Sequence, residues 1–129
     1  MPVTCYNIWN AITNEKQPSV LTRTSESKHT KFNKNRACKF LRDIGLGKYG
    51  CTADEYPFAS TKEGGMYATC ESVTPQESTE QTKQISQFYN DPNGPRQGEK
   101  FRVSVPKPAS KPKICQYWNA KHVFVQKVQ

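Results

Sequence analysis

The residues best able to do chemistry stand together at Asp54-Glu55-Tyr56-Pro57-Phe58-Ala59, continued by Ser60-Thr61-Lys62-Glu63-Gly64-Gly65. Two adjacent carboxylates are set against two aromatic rings and a proline, and a glycine pair follows. The 129-residue chain around them carries 19 Lys and Arg against 11 Asp and Glu, a net charge of +8. Such a surface attracts polyanions, DNA and RNA first among them. A small acidic focus inside a basic chain suits metal-assisted phosphodiester cleavage, which needs an activated water, neutralised charge at phosphorus and a stabilised leaving oxygen. Hard oxygen donors of this kind bind Mg2+, Mn2+ or Ca2+. The two histidines, His29 and His122, lie near no other ligand-like cluster. A His-rich transition-metal site is therefore not expected, and His29 is kept as an alternative base. On these residues alone, Asp54 also reads as the cap of a turn before Tyr56-Pro57.

Among the cations, Arg36 is the best phosphate contact, because a guanidinium is a planar fork that matches phosphate geometry. Arg23 is second. Lys28, Lys31, Lys34 and Lys39 offer a backbone-binding face, whose contacts would be independent of sequence and sensitive to salt. A solvated cationic surface is the plainer alternative.

These residues need elements to hold them. The length fits one domain with one core. Hydrophobic content is only 34%, so six Tyr, six Phe and two Trp must supply much of the core volume. Apolar residues at 8, 9, 11 and 12 suit a short helix over 7–16, ended by Pro18-Ser19. Residues 22–35 are polar and basic and read as a loop. A second helix is expected from Asn35 to Leu41, with Ala37, Phe40, Leu41 and Ile44 on one buried face and Gly45 and Gly47 stopping it. Met66 to Val73 reads as a strand. Thr74-Pro75-Gln76-Glu77 opens a helix with Thr74 as N-cap, Pro75 at the first position and Glu77 completing a capping box. That helix runs to about Asn90 and buries Ile85, Phe88 and Tyr89. Phe101 to Val105 alternates as a strand, residues 106–113 form an extended Pro/Lys-rich linker, and His122 to Val128 alternates as one more strand.

Five cysteines with no CxxC pair point to structural disulfides in an oxidising compartment, one thiol being left over. A Cys38–Cys51 bridge would brace the acidic turn against the Arg36 helix. No apolar run is long enough to span a membrane. Met1-Pro2-Val3-Thr4 lacks the charged and apolar regions of a signal peptide, so an exported protein would be represented here by its mature form or by an excised domain with an added Met.

The run DEYPFAS…EGG resembles, nearly letter for letter, the signature of NucA/NucB-type secreted deoxyribonucleases. Other segments resemble the same family in the same order. They are Pro18-Ser19-Val20-Leu21-Thr22-Arg23, Asn35-Arg36-Ala37-Cys38, the helix from Gln76 to Asn90, and a strand marked by Gly98, Phe101 and Val103. Two departures stand out. Cys51 lies three residues before Asp54, where the family usually has an adjacent Cys. The family's E-N-x-x-Q-G helix opening is replaced by Glu77-Ser78-Thr79-Glu80-Gln81-Thr82, with Ser78 in place of the Asn.

The resemblance implies an α+β fold: a small antiparallel sheet packed with two or three helices around a ββα-metal-like core and braced by disulfides. Residues 1–105 would form the nuclease domain, and 106–129 an extension packed on it. It implies a secreted endonuclease of little sequence preference, acting as a monomer on DNA first and RNA second. Asp54 would be the general base with Glu55 beside it. Arg36 would grip the phosphate, and Glu77 and Gln81 would hold one Mg2+ or Mn2+ ion. Glu63, Gly64 and Gly65 would shape the turn. The rival readings are a non-catalytic nucleic-acid-binding module and a secreted toxin or effector domain, the latter with a dedicated inhibitor protein as partner.

Overall fold

The computed structural model describes residues 1–24, 27–112 and Cys115. The strand expected over 122–128 lies outside them. Helix α1, Pro2–Thr13, starts earlier than expected because Pro2 takes the first helical turn, where its missing N–H is no loss. Its inward stripe is Val3, Thr4, Asn7, Ile8 and Ala11. Strand β1, Val20–Thr22, pairs antiparallel with β4, Lys100–Arg102. Strand β2, Thr52–Tyr56, pairs antiparallel with β3, Thr69–Val73, placing Asp54 opposite Glu71. The described strands thus form two small antiparallel ladders rather than one sheet. Helix α4, Pro75–Asn90, begins two residues after β3. Thr74 caps it as expected, its side chain accepting from the Glu77 N–H. Strands β2 and β3 and helix α4 therefore follow one another as a ββα unit, and the fold is α+β and disulfide-braced.

Residues expected to be a loop contain a helix instead, α2, Ser27–Arg36. It lacks an apolar stripe: Asn33 is buried within it and Ala37 just beyond its end. The Asn33 amide donates to the Ala59 and Thr61 carbonyls at 3.0 Å each, so this helix is anchored by hydrogen bonds rather than by apolar packing. The helix expected over 35–41 is broken. Cys38 takes a left-handed conformation (φ 56°) between α2 and a short helix α3, Lys39–Asp43. The break turns Phe40 and Ile44 outward, 63% and 51% exposed, where a continuous helix would have buried them. Met66 and Tyr67 are likewise exposed, and β3 starts only at Thr69. Helix α4 half-buries Ile85 and Tyr89 but leaves Phe88 exposed.

The main core gathers Ile8, Ala11, Leu21, Tyr56 and Phe58. Tyr56 is fully buried, meets Phe58 edge-on at 5.3 Å and donates its hydroxyl to the Pro18 carbonyl at 2.7 Å. The cysteines pair as Cys38–Cys70 and Cys51–Cys115, not Cys38–Cys51, and Cys5 is free. Cys38 reaches β3 instead of Cys51 because the left-handed turn places it over the β2–β3 ladder. Beyond β4, Pro106, Pro108 and Pro112 share a groove with Pro2, Cys5 and Tyr6 of α1. No helix among the described residues is long and apolar enough to cross a membrane.

Candidate active site

Side chains alternate along a strand, and on β2 the alternation separates the two carboxylates. Asp54 and Tyr56 point into the protein, while Glu55 faces the other way and is half-buried. Asp54 is 4% exposed. Its Oδ2 accepts from the Asn7 amide at 2.9 Å, and the same amide donates to the Thr69 carbonyl at 3.3 Å. One buried side chain on α1 thus ties the carboxylate to β3. From α4 come Glu77 and Gln81, one turn apart on one face.

These surroundings push the Asp54 carboxyl up to about 8. Burial is the main cause, because a charge removed from water is disfavoured. The Asn7 hydrogen bond opposes it, the nearby charges of Glu55 and Glu77 add to it, and the Gln81 amide opposes it. Burial also raises Glu55, but Lys34 and Arg42 on α2 and α3 pull it back. The two neighbours in sequence therefore sit in different fields: Asp54 among amides and carboxylates, Glu55 facing cations.

Both line one cleft of about 520 Å³, whose wall includes Lys34, Asn35, Arg42, Ser78 and Gln81. Arg42 donates to the Lys34 and Asn35 carbonyls at 2.6 and 2.5 Å, closing the last turn of α2. Glu77 has a second occupation. Its Oε1 accepts from the Thr4 N–H at 2.8 Å and the Thr4 hydroxyl at 3.3 Å. The capping box is therefore half-formed: the carboxylate turns from its own helix to cap the N-terminus of α1, which Met1 leaves without a side-chain cap.

Several expected contacts lie elsewhere. Arg36 is outside the cleft lining, its guanidinium 4.7 Å above the Phe32 ring. Arg23 is committed to the fold: it donates to the Tyr89 and Pro95 carbonyls at 3.1 and 2.6 Å and covers the Tyr89 ring. It fastens the end of α4 and is not presented to a phosphate. Lys28 and Lys31 are exposed on α2, and Lys39 pairs with Asp43 at 2.7 Å on the surface. Glu63 binds the Thr22 N–H and hydroxyl at 2.7 and 2.9 Å, fixing the turn to β1. A side chain at Gly64 would run into the Phe58 carbonyl, and Gly65 has φ +124°.

Asn7 and Arg42 are the functional candidates that sequence reasoning missed. Arg42 stands three residues beyond Lys39, on a helix the sequence did not break correctly. Asn7 gave one faint sign, a polar residue on the apolar stripe of α1.

The residues present fit a divalent cation of the Mg2+ type. No group of three or more His, Cys, Asp or Glu side chains gathers among the described residues. An ion that keeps most of its waters needs only one or two carboxylates. Asp54, Glu77 and the Gln81 amide supply hard oxygen donors alone, and the Gln81 amide nitrogen is buried with no hydrogen-bond partner. The Gln81 amide can turn its oxygen toward a cation by rotation about its last bond.

No curated protein matches the chain significantly. A sequence profile of the family described as Deoxyribonuclease NucA/NucB matches residues 4–104, which takes in β2, β3, α4 and every cleft residue named above. The chain belongs to the NucA/NucB deoxyribonucleases, hydrolases that act on DNA.

Proposed function

We propose that this deoxyribonuclease is a metal-dependent endonuclease of little sequence preference, secreted and monomeric, acting on DNA first and on RNA second, with the cleft around Asp54 as its active site. The observation that carries the reading is Asp54 itself: a buried carboxylate, held at one oxygen by Asn7 and open to a cleft with a cationic wall. Residues 1–105 form the catalytic domain. Two disulfides support an oxidising compartment.

With Oδ2 occupied by Asn7, Oδ1 of Asp54 is the atom that takes the proton from the attacking water. Lys34 binds the phosphate at the cleft wall, the place first expected of Arg36, and Arg42, tied to the end of α2 through its two carbonyl contacts, adds positive charge beside it. Glu55, on the opposite face of β2, holds these two cations toward the cleft by charge. Glu77, through the oxygen not used on α1, and Gln81 would hold the cation. That cation, when bound, neutralises charge on the phosphate and the leaving oxygen. Its positive charge also favours the ionised form of Asp54, opposing the rise that burial causes. A grip built from phosphate contacts supports cleavage of little sequence preference.

The test is nicking of supercoiled plasmid in EDTA and after Mg2+ or Mn2+ is restored. Activity should vanish in EDTA and return with the ion. Full activity in EDTA would remove the metal from the account.

A further inference from the structure

Between Ser27 and Ile44 the chain carries Lys28, Lys31, Lys34, Arg36, Lys39 and Arg42 against a single carboxylate, Asp43. Five of the chain's eight net positive charges thus lie in this one stretch of helix. The same stretch exposes large apolar groups: Phe32 is 54% exposed and Phe40 63%. Phe32 already carries the Arg36 guanidinium on its ring. Lys34 and Arg42 of the same two helices line the cleft, so both helices border it.

Cations interleaved with exposed rings suit one occupant. A paired duplex shows these helices phosphates but keeps its base faces stacked away. A single strand offers both, and stacking on aromatic side chains is tolerant of base identity. We propose that α2 and α3 bind single-stranded DNA, stacking unpaired bases on Phe32 and Phe40 and leading the strand into the Asp54 cleft. The inference deepens the nuclease reading of that cleft and rests on it for the direction of the strand.

The experiment is fluorescence anisotropy of the full chain in EDTA at one fixed salt concentration, with three probes: an oligo-dT strand, the same strand made abasic, and a duplex of equal length. Wild type should bind oligo-dT more tightly than the abasic strand. Phe32→Ala and Phe40→Ala should each weaken oligo-dT binding by about fivefold or more while leaving the abasic strand and the duplex nearly unchanged. Phe32→Tyr, which keeps the ring, should restore it. Equal losses on all three probes, or none on oligo-dT, would overturn the proposal. Because binding is read without hydrolysis, the two failures separate. A chain that stacks bases but never cuts loses the nuclease reading alone. One that cuts, with these rings silent, loses this inference alone.

Discussion

At Asp54 the fold holds a carboxylate where charge is disfavoured, and the consequence can be measured. Its pKa of about 8 in the folded protein lies well above the ordinary value of 3.8. Between those limits the native state keeps a proton that the unfolded chain has lost, so stability falls as pH rises, with a slope approaching about 1.4 kcal/mol per unit. Asn at this position keeps the shape and can accept the Asn7 bond without titrating. In EDTA, denaturant unfolding of wild type and Asp54→Asn should give similar stabilities near pH 4, with the variant increasingly the more stable up to pH 8. Parallel curves across that range would mean that burial does not raise the group. Asp54 was legible because a DE pair in a basic chain, followed by Tyr-Pro-Phe, is chemically conspicuous. Asn7 was not, since its role depends on a partner 47 residues away, and an isolated asparagine on a helix has many uses.

Among the elements, α4 was the most legible. Thr74, Pro75 and Glu77 are three local signals, and each acts within a few residues of itself. The destination of the Glu77 carboxylate was not local: it crosses to α1, so one residue caps a helix other than its own. Thr74→Ala should lower stability by about 1 kcal/mol, seen as a drop of a few degrees in Tm. An unchanged Tm would show that α4 is held by packing alone. Helix α2 was illegible for the opposite reason. It has no apolar period to detect, and Asn33 fastens it to carbonyls distant in sequence. The left-handed Cys38 was equally hidden, and it undid the expected buried face of Phe40 and Ile44. Arg36 lost its expected place with it, and Arg42 took the cleft wall.

For the whole molecule, the cysteine count announced disulfides but not their partners, because pairing is decided by which sulfurs the finished fold brings together. Cys38–Cys70 ties the α2–α3 corner to β3, and Cys51–Cys115 ties the end of the described chain to the start of β2. The second closes a loop with a sequence separation of 64 residues, a cross-link expected to contribute about 2–4 kcal/mol. Cys51→Ser with Cys115→Ser should lower the unfolding free energy by that amount while the remaining bridge persists. A double variant as stable as wild type would contradict the pairing. The α+β class and the ββα order of the elements around Asp54 were legible from the motifs taken together. The division of the strands into two ladders was not, since β1 and β4 are too short to announce a partner.

The account turns on the side chain at position 54 accepting a proton. Plasmid nicking by Asp54→Asn, measured beside wild type at equal DNA binding and saturating Mg2+, tests it most directly. A loss of at least about 100-fold with binding retained is the expected result; nicking at the wild-type rate would contradict it.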